Sequence, residues 1–287
     1  MSRSVLFVVH AGRPNTLDVA RAAARGLLAA GISVACFADE AEALDLPGLT
    51  QAETAQGCEL IVVFGGDGTI LRAVESAMPH DVPVLGVNLG HVGFLAEAEP
   101  ENIDAVVTAI INGELVVEQR VALNVTATNA DGYMWSSWSL NEVAIEKHQR
   151  ERMIDVMVSI DGQPLSRWSC DGVMCATPTG STAYAFSAGG PVVWPEVNAF
   201  LVVPISAHAL FARPLVVSPN SHIDISIESG PVVVSCDGRR TVEIATGGSI
   251  SVTKHAQAVQ FARIHATPFT ERLVAKFELP VHGWRNA

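Results

Sequence analysis

The sequence contains no C-x-x-C pair. Its five cysteines, Cys36, Cys58, Cys170, Cys175 and Cys236, are scattered, which excludes a zinc ribbon or thioredoxin-type site and fits a reducing compartment. No apolar stretch approaches the ~18 residues of a membrane span, and the N-terminal apolar run at 5–9 is too short for a signal sequence. A cytoplasmic protein without a membrane partner is expected. Basic residues are scarce: 18 Lys and Arg stand against 30 Asp and Glu, for a formal net charge of -12. That balance argues against nucleic acid as a partner. It leaves room for a small anion held by local backbone donors. Two nucleotide-binding signatures are missing, G-x-x-x-x-G-K-[ST] and G-x-G-x-x-G, so neither a P-loop nor the Rossmann fingerprint is present. There is no internal repeat and no low-complexity linker.

What is present is a chain of 287 residues, 49% hydrophobic and 17% charged, long enough for one or two substantial cores. It reads as two textures. Up to about residue 115, apolar runs at 5–9, 32–37, 59–64 and 83–87 alternate with helix-like or turn-rich segments. The clearest helices are expected at 16–30, closed by Gly31, and at 101–112, stopped by Asn112-Gly113. Strands alternating with helices predict an α/β N-terminal domain with a parallel sheet and helices on both faces. From 116 to 265, β-branched runs recur without helical periodicity, which predicts a mostly antiparallel β C-terminal domain. Asp131-Gly132 and Asp161-Gly162 lie between such runs and predict type I′ hairpins. The segment 177–190 reads as loop, short helix, loop. A helix is expected at 269–277 in the tail 266–287.

Three segments could carry chemistry. Gly65-Gly66-Asp67-Gly68-Thr69 follows the apolar run 59–64 and opens a helix. Glycines there let a phosphate approach the backbone, and the helix N-terminus favours an anion. Asp67 would be repulsive unless it accepts a proton from an attacking hydroxyl or holds a phosphate-bound Mg²⁺. A plain turn is an equal alternative, because the chain has five Asp-Gly pairs. The loop from Gly86 to Gly93 is a second glycine-rich sheet-edge segment. Asn141-Glu142 suits capture of ribose hydroxyls or an adenine edge, although by spacing alone a surface turn is the favoured reading. The segment 177–184, TPTGSTAY, combines hydroxyls, a glycine and Tyr184, a stacking face for a base; a Ser/Thr-rich loop is the plain alternative. Cys170, Cys175, His208 and the turn Asp237-Gly238 read as structural.

Together, GGDGT at 65–69, GVNLGHVGFL at 86–95, LNE at 140–142, DG at 171–172, TPTGSTAYAFSAGGP at 177–191 and HALFARPLVVSP at 208–219 resemble the NAD kinase family, closest to its actinobacterial branch. The resemblance covers nearly the whole chain. It implies the NAD kinase/diacylglycerol kinase-like fold, with domains at 1–115 and 116–265 and a tail that packs back on the first. It implies ATP-dependent phosphorylation of the 2′-hydroxyl on the adenosine ribose of NAD, giving NADP and ADP. Asp67 matches the family's general base. Asp67, Gly68 and Arg72 match positions near the dinucleotide, and Asn141 and Glu142 match the pair holding adenosine. Arg152 falls near a basic contact. Ser169 and Asp171 match contacts toward nicotinamide, and Thr182, Ala183, Tyr184, Ala185, Phe186 and Ser187 the stretch around adenine and ribose. Gly65, Gly66, Gly68 and Thr69 would face ATP phosphates. A divalent cation, Mg²⁺ with ATP, and a homo-oligomer, dimer or tetramer, are further implied. A lipid or sphingoid kinase, an NADP sensor and a hydride-transferring oxidoreductase are the rival readings.

Overall fold

The computed structural model describes residues 3–12, 14–87, 93–96, 103–150, 152–264 and 268–281. The glycine-rich loop expected from Gly86 thus has residues 88–92 outside the described residues, as has the end of the tail from 282. The chain divides into two compact units, 1–119 with 259–287, and 120–258.

The first unit is built on a seven-stranded sheet. Its order is Thr50–Gln51, Ser33–Cys36, Ser4–Val9, Leu60–Phe64, Val84–Val87, Val259–Arg263 and Val116–Arg120. Every pairing from the first of these through Val259–Arg263 is parallel. The central strands are almost wholly apolar because both faces are covered. Val5, Phe7 and Val9 pack in one core with Ala20, Ala24 and Leu27 of the helix Pro14–Ala29 and with Val106 and Ile110 of the helix Ile103–Asn112. Gly86 points to the other face, where a Cβ would meet the Ile70 side chain at 2.6 Å; the helix Asp67–Ala77 packs there. Gly31, at φ 80°, supplies the left-handed turn after the first helix.

The second unit is a sandwich of two six-stranded sheets in which all strand pairings are antiparallel. One sheet holds Leu123–Thr128, Met134–Ser139, Ile154–Ile160, Gln163–Cys170, Ile223–Ser229 and Ser249–Lys254; the other holds Glu142–Lys147, Gly172–Ala176, Phe200–Ile205, Leu215–Val217, Val232–Cys236 and Arg240–Ile244. Alternate residues of both, among them Val125, Val156, Trp168, Ile225, Val143, Val173 and Phe200, fill the space between them. The outer face of the second sheet, through Ala144, Met174, Ala176 and Val203, is covered by Ala185 and Val193. The segment 177–190 is therefore laid across a sheet, as a 3-10 turn at Thr179–Thr182 and one helical turn at Tyr184–Ser187.

Two expectations are corrected. Texture alone put all of 116–265 in the β domain, yet Val116–Arg120 and Val259–Arg263 are strands of the first sheet. β-branched composition reports a pleated, packed surface and does not say which sheet will pair with it. Of the two hairpins, Asp161-Gly162 has both residues at positive φ, 53° and 76°, as a type I′ turn requires. At Asp131-Gly132 only the glycine does, at 88°. There the N–H of Gly132 returns to the Asn129 carbonyl and the N–H of Asn129 to Tyr133. The loop is thus longer, with a left-handed glycine closing it. Asp237-Gly238, at 53° and 66°, has the pair of positive φ values instead.

Candidate active site

In the first unit, the buried strand Leu60–Phe64 delivers the chain into the glycine turn. A Cβ on Gly65 would lie 2.6 Å from Thr69 Oγ1, so a glycine is required for Thr69 to fold back over the turn. The N–H groups of Thr69 and Ile70 both return to the Gly66 carbonyl, at 2.9 and 3.1 Å. Those of Asp67 and Gly68 precede the first intrahelical bonds, at the positive end of the helix dipole.

Strand order reverses between Ser4–Val9 and Leu60–Phe64, and ligands of open α/β sheets bind at the carboxyl ends of strands beside such a reversal. A cavity of about 600 Å³ lies there. Gly66, Gly68, Thr69 and Arg72 line it together with His10, Asp39 and Glu40. Arg72 is already engaged: its Nη2 donates to the Val9 carbonyl at 3.1 Å and lies 2.6 Å from the buried Glu40 carboxylate, as an ion pair.

Asp67 does not line that cavity. Its half-buried carboxylate accepts the backbone N–H of Phe94 at Oδ2, 3.1 Å, and that of Leu95 at Oδ1, 3.2 Å. Gly93 makes this approach possible, since a Cβ there would sit 2.3 Å from Oδ1. The turn therefore has two sides, with Gly66, Gly68 and Thr69 lining the cavity and a carboxylate held by residues 94 and 95. Each carboxylate oxygen keeps a lone pair beyond the one used, so Asp67 can still accept a hydroxyl proton.

In the second unit, Asn141 and Glu142 are buried rather than in a surface turn. Three neighbours shape them. The Asp237 carboxylate accepts the N–H groups of Leu140, Asn141 and Glu142 at 2.9, 2.7 and 3.3 Å. Arg240 Nη2 pairs with Asp237 at 2.8 Å, and its guanidinium stacks 4.1 Å from the Trp138 ring centroid. Thr177 donates its hydroxyl to the Leu140 carbonyl at 2.5 Å and its N–H to the Asn141 carbonyl at 2.9 Å. Gly180 lies so close that a Cβ would come within 2.0 Å of that same Asn141 oxygen.

Burial, with the Asp237 charge as a second cause, pushes the Glu142 carboxyl up to about 8, against the pull of the Tyr184 N–H. Its Oε2 is buried without a hydrogen-bond partner among the described residues. Leaving such an atom unpaired costs free energy that a bound hydroxyl or amine would recover. Burial, and then the hydrogen bond that its hydroxyl donates to Glu146 at 2.7 Å, push Tyr184 up to about 12, and that bond fixes a partly exposed ring beside Glu142.

Residues 5–115 match the ATP-NAD kinase N-terminal domain, and residues 140–264 match the ATP-NAD kinase C-terminal domain. The chain is 50% identical to NAD kinase 2 of Streptomyces avermitilis over 100% of this chain and 98% of the relative. This chain belongs to the ATP-NAD kinase family. The NAD kinase of Thermobifida fusca is 49% identical over 99% of this chain and 92% of its own length. Among solved structures, yeast NADH kinase complexed with NADH superposes with a TM-score of 0.89 at 25% identity, over 98% of this chain and 88% of that one. An Archaeoglobus fulgidus NAD kinase in complex with ATP gives 0.73 at 29% identity, over 97% and 99%. The match to NAD kinases over the whole chain displaces the lipid-kinase, sensor and hydride-transfer alternatives.

The residues expected from the family resemblance are placed unevenly. Gly66, Gly68, Thr69 and Arg72 share the cavity, whereas Gly65 sits behind it under Thr69. Ser169 donates its hydroxyl to Asp155, and Asp171 is paired with Lys147 Nζ at 2.5 Å. Arg152 is exposed just ahead of the strand Ile154–Ile160. Tyr184, Phe186 and Ser187 are exposed, but the Ala185 side chain is wholly in the core, so only its backbone is left to meet a ligand. Thr182 is partly buried, its hydroxyl on the Thr179 carbonyl, and Ala183 joins the two turns.

Sequence reasoning missed His10, Asp39 and Glu40 on the cavity, and Lys147, Asp237 and Arg240 around the Asn-Glu pair. The one available signal was Asp237-Gly238, read as an ordinary turn.

Proposed function

We propose that the chain transfers the γ-phosphate of ATP to the 2′-hydroxyl on the adenosine ribose of NAD, with Asp67 as the residue that orients this hydroxyl and takes its proton. The observation that carries the reading is the Asp67 carboxylate, fixed by two backbone N–H groups at the end of a glycine turn and still able to accept. The ribose oxygen attacks the γ-phosphorus, the bond from that phosphorus to the β-bridging oxygen breaks, and ADP leaves with the electron pair. A ribose hydroxyl is much less acidic than a carboxylic acid, so its proton passes to Asp67 late, as the new P–O bond forms. Until then Asp67 acts chiefly by orientation.

Gly66, Gly68 and Thr69, with the N–H groups at the start of the helix, hold phosphate oxygens, and Arg72 adds a cation whose charge Glu40 partly balances. Gly65 acts through the turn. In the second unit, Asn141 and Glu142 hold adenosine, Glu142 Oε2 taking a hydroxyl or amine donor. Thr182, Ala183, Tyr184, Ala185, Phe186 and Ser187 flank the base and ribose. Ser169, Asp171 and Arg152 lie toward the rest of the dinucleotide.

A divalent cation, Mg²⁺, enters with ATP. As a hard cation it would take oxygen ligands beside the ATP phosphates, near Gly66, Gly68 and Thr69. Bound there, it would neutralise charge on the transferred group. No helix of the described residues is long and apolar enough to cross a membrane; the cytoplasmic location and the homo-oligomer rest on the family resemblance.

The test is NADP formation by the purified chain with ATP, Mg²⁺ and NAD, alongside Asp67→Asn. NADP from the parent and a loss of about a hundredfold or more in the variant is expected. Equal rates would keep the kinase and remove Asp67 from the proton's path.

A further inference from the structure

Asp67 is held by residues 94 and 95, and those two residues are themselves held by the C-terminal part of the chain. The carbonyl of Phe94 accepts from Arg272 Nη1 at 3.2 Å, and the carbonyl of Leu95 accepts from Arg263 Nη1 at 3.3 Å. Both arginines are buried, with relative exposures of 9% for Arg272 and 3% for Arg263. Arg263 is further fixed by Glu118, which accepts from its Nε at 2.9 Å. The Phe94 ring packs on Phe269 and Phe277, at centroid distances of 5.9 and 5.8 Å, from the two ends of the helix Phe269–Phe277.

The connectivity of the peptide between 94 and 95 gives these contacts a direction. Its carbonyl oxygen belongs to Phe94 and receives Arg272; its N–H belongs to Leu95 and is donated to Asp67 Oδ1. A single planar peptide thus has a guanidinium on its oxygen and the Asp67 carboxylate on its hydrogen. A cation on the oxygen draws electron density away from the N–H and makes it a stronger donor. A buried guanidinium and a half-buried carboxylate are in this way joined through one amide.

We propose that Arg272, assisted by Arg263, is a positioning residue for phosphoryl transfer, setting the orientation of the Asp67 carboxylate through the peptide between Phe94 and Leu95. The inference rests on the role of Asp67 proposed above. Neither arginine needs to touch substrate. Their removal loosens the carboxylate while the turn and cavity that bind phosphate stay as they are. The signature is therefore a loss in kcat with little change in KM.

The experiment is steady-state kinetics of the full chain carrying Arg272→Gln or Arg272→Lys, each in the parent and in Asp67→Asn. Displacing a reacting group by about 1 Å costs on the order of a hundredfold, so Arg272→Gln is expected to lower kcat by about ten- to a hundredfold. KM for NAD and for ATP should stay within about twofold. Arg272→Lys should recover part of the rate. In the Asp67→Asn background, Arg272→Gln should cost nothing further, because the group it positions is gone.

A parent-like kcat in Arg272→Gln overturns the proposal, as does a loss of the same size in both backgrounds. Full activity in Asp67→Asn overturns it together with the role of Asp67, whatever Arg272→Gln does. If Arg272→Gln does not fold, Phe277→Leu, which loosens the same clamp on Phe94, is read by the same criteria.

Discussion

Asp237 Oδ1 accepts the backbone N–H of Asn141 at 2.7 Å, across 96 positions of sequence. The same carboxylate takes the N–H groups on either side and an ion pair from Arg240. The Asn-Glu pair that the family resemblance assigns to adenosine is thus shaped by a residue of a distant hairpin turn. Asp237 is itself pushed up by burial, against the pull of those donors and of Arg240.

Replacing Asp237 by alanine removes the acceptor of three backbone donors and the partner of Arg240. Breaking a buried pair of this kind costs about 3–5 kcal/mol, to be read from urea denaturation of parent and Asp237→Ala. In Asp237→Asn, which retains one acceptor oxygen, the loss should be smaller. In both, KM for NAD should rise more than kcat falls, since the binding pair and not the reacting group is displaced.

Glu142 makes the ligand-free chain pH-sensitive. Its carboxyl holds its proton up to about pH 8 in the folded chain, against an ordinary value of 4.5. Between these values the folded state binds the additional proton. The contribution is fully present below the unfolded value and is lost as pH rises through the folded one. Tm should therefore fall from about pH 5 to about pH 9, and Glu142→Gln should flatten that fall. An unchanged slope in the variant would show that Glu142 is not its source.

Two glycines should respond oppositely to the same added methyl. In Gly180→Ala the new Cβ meets the Asn141 carbonyl oxygen at 2.0 Å and its carbon at 2.4 Å, so backbone must move. A stability loss of about 1–3 kcal/mol is expected, with weakened NAD binding. In Gly68→Ala nothing lies within 4 Å of the new Cβ, and φ is not positive. Its Tm should match the parent, while KM for ATP rises because the methyl enters the cavity Gly68 lines. Thermal melts and ATP titrations separate the two.

Gly93→Ala tests the placement of Asp67 from the other side. The added Cβ would lie 2.3 Å from Asp67 Oδ1, and the side chain yields more easily than backbone. The carboxylate should swing off the Phe94 and Leu95 donors. A fall in kcat of about tenfold or more is expected with KM for ATP unchanged; a parent-like kcat would show that the position of this carboxylate does not limit the reaction.

By itself the sequence determined the elements and the chemistry on offer. Val- and Ile-rich runs marked the strand Leu60–Phe64, the Ala- and Leu-rich stretch marked the helix Pro14–Ala29, and the switch of texture near residue 115 marked the α/β and β classes. Each of these rests on spacing within a few residues, where the periods of helix and strand are written directly. The glycines before Asp67 were legible for the same reason, because a turn between strand and helix is a local event.

The tertiary structure alone decided who stands beside whom. The strand Val259–Arg263 joins the first sheet, Asp131-Gly132 closes a longer loop while Asp237-Gly238 makes the tight turn, and Ala185 goes into the core beside exposed Tyr184. Asp67 meets Leu95 across 28 positions, Leu95 meets Arg263 across 168, and Phe94 meets Arg272 across 178. A carboxylate, a guanidinium and a backbone N–H can each pair with many others. The selection among them is made when apolar faces pack and leave a few polar groups within hydrogen-bond distance of one another.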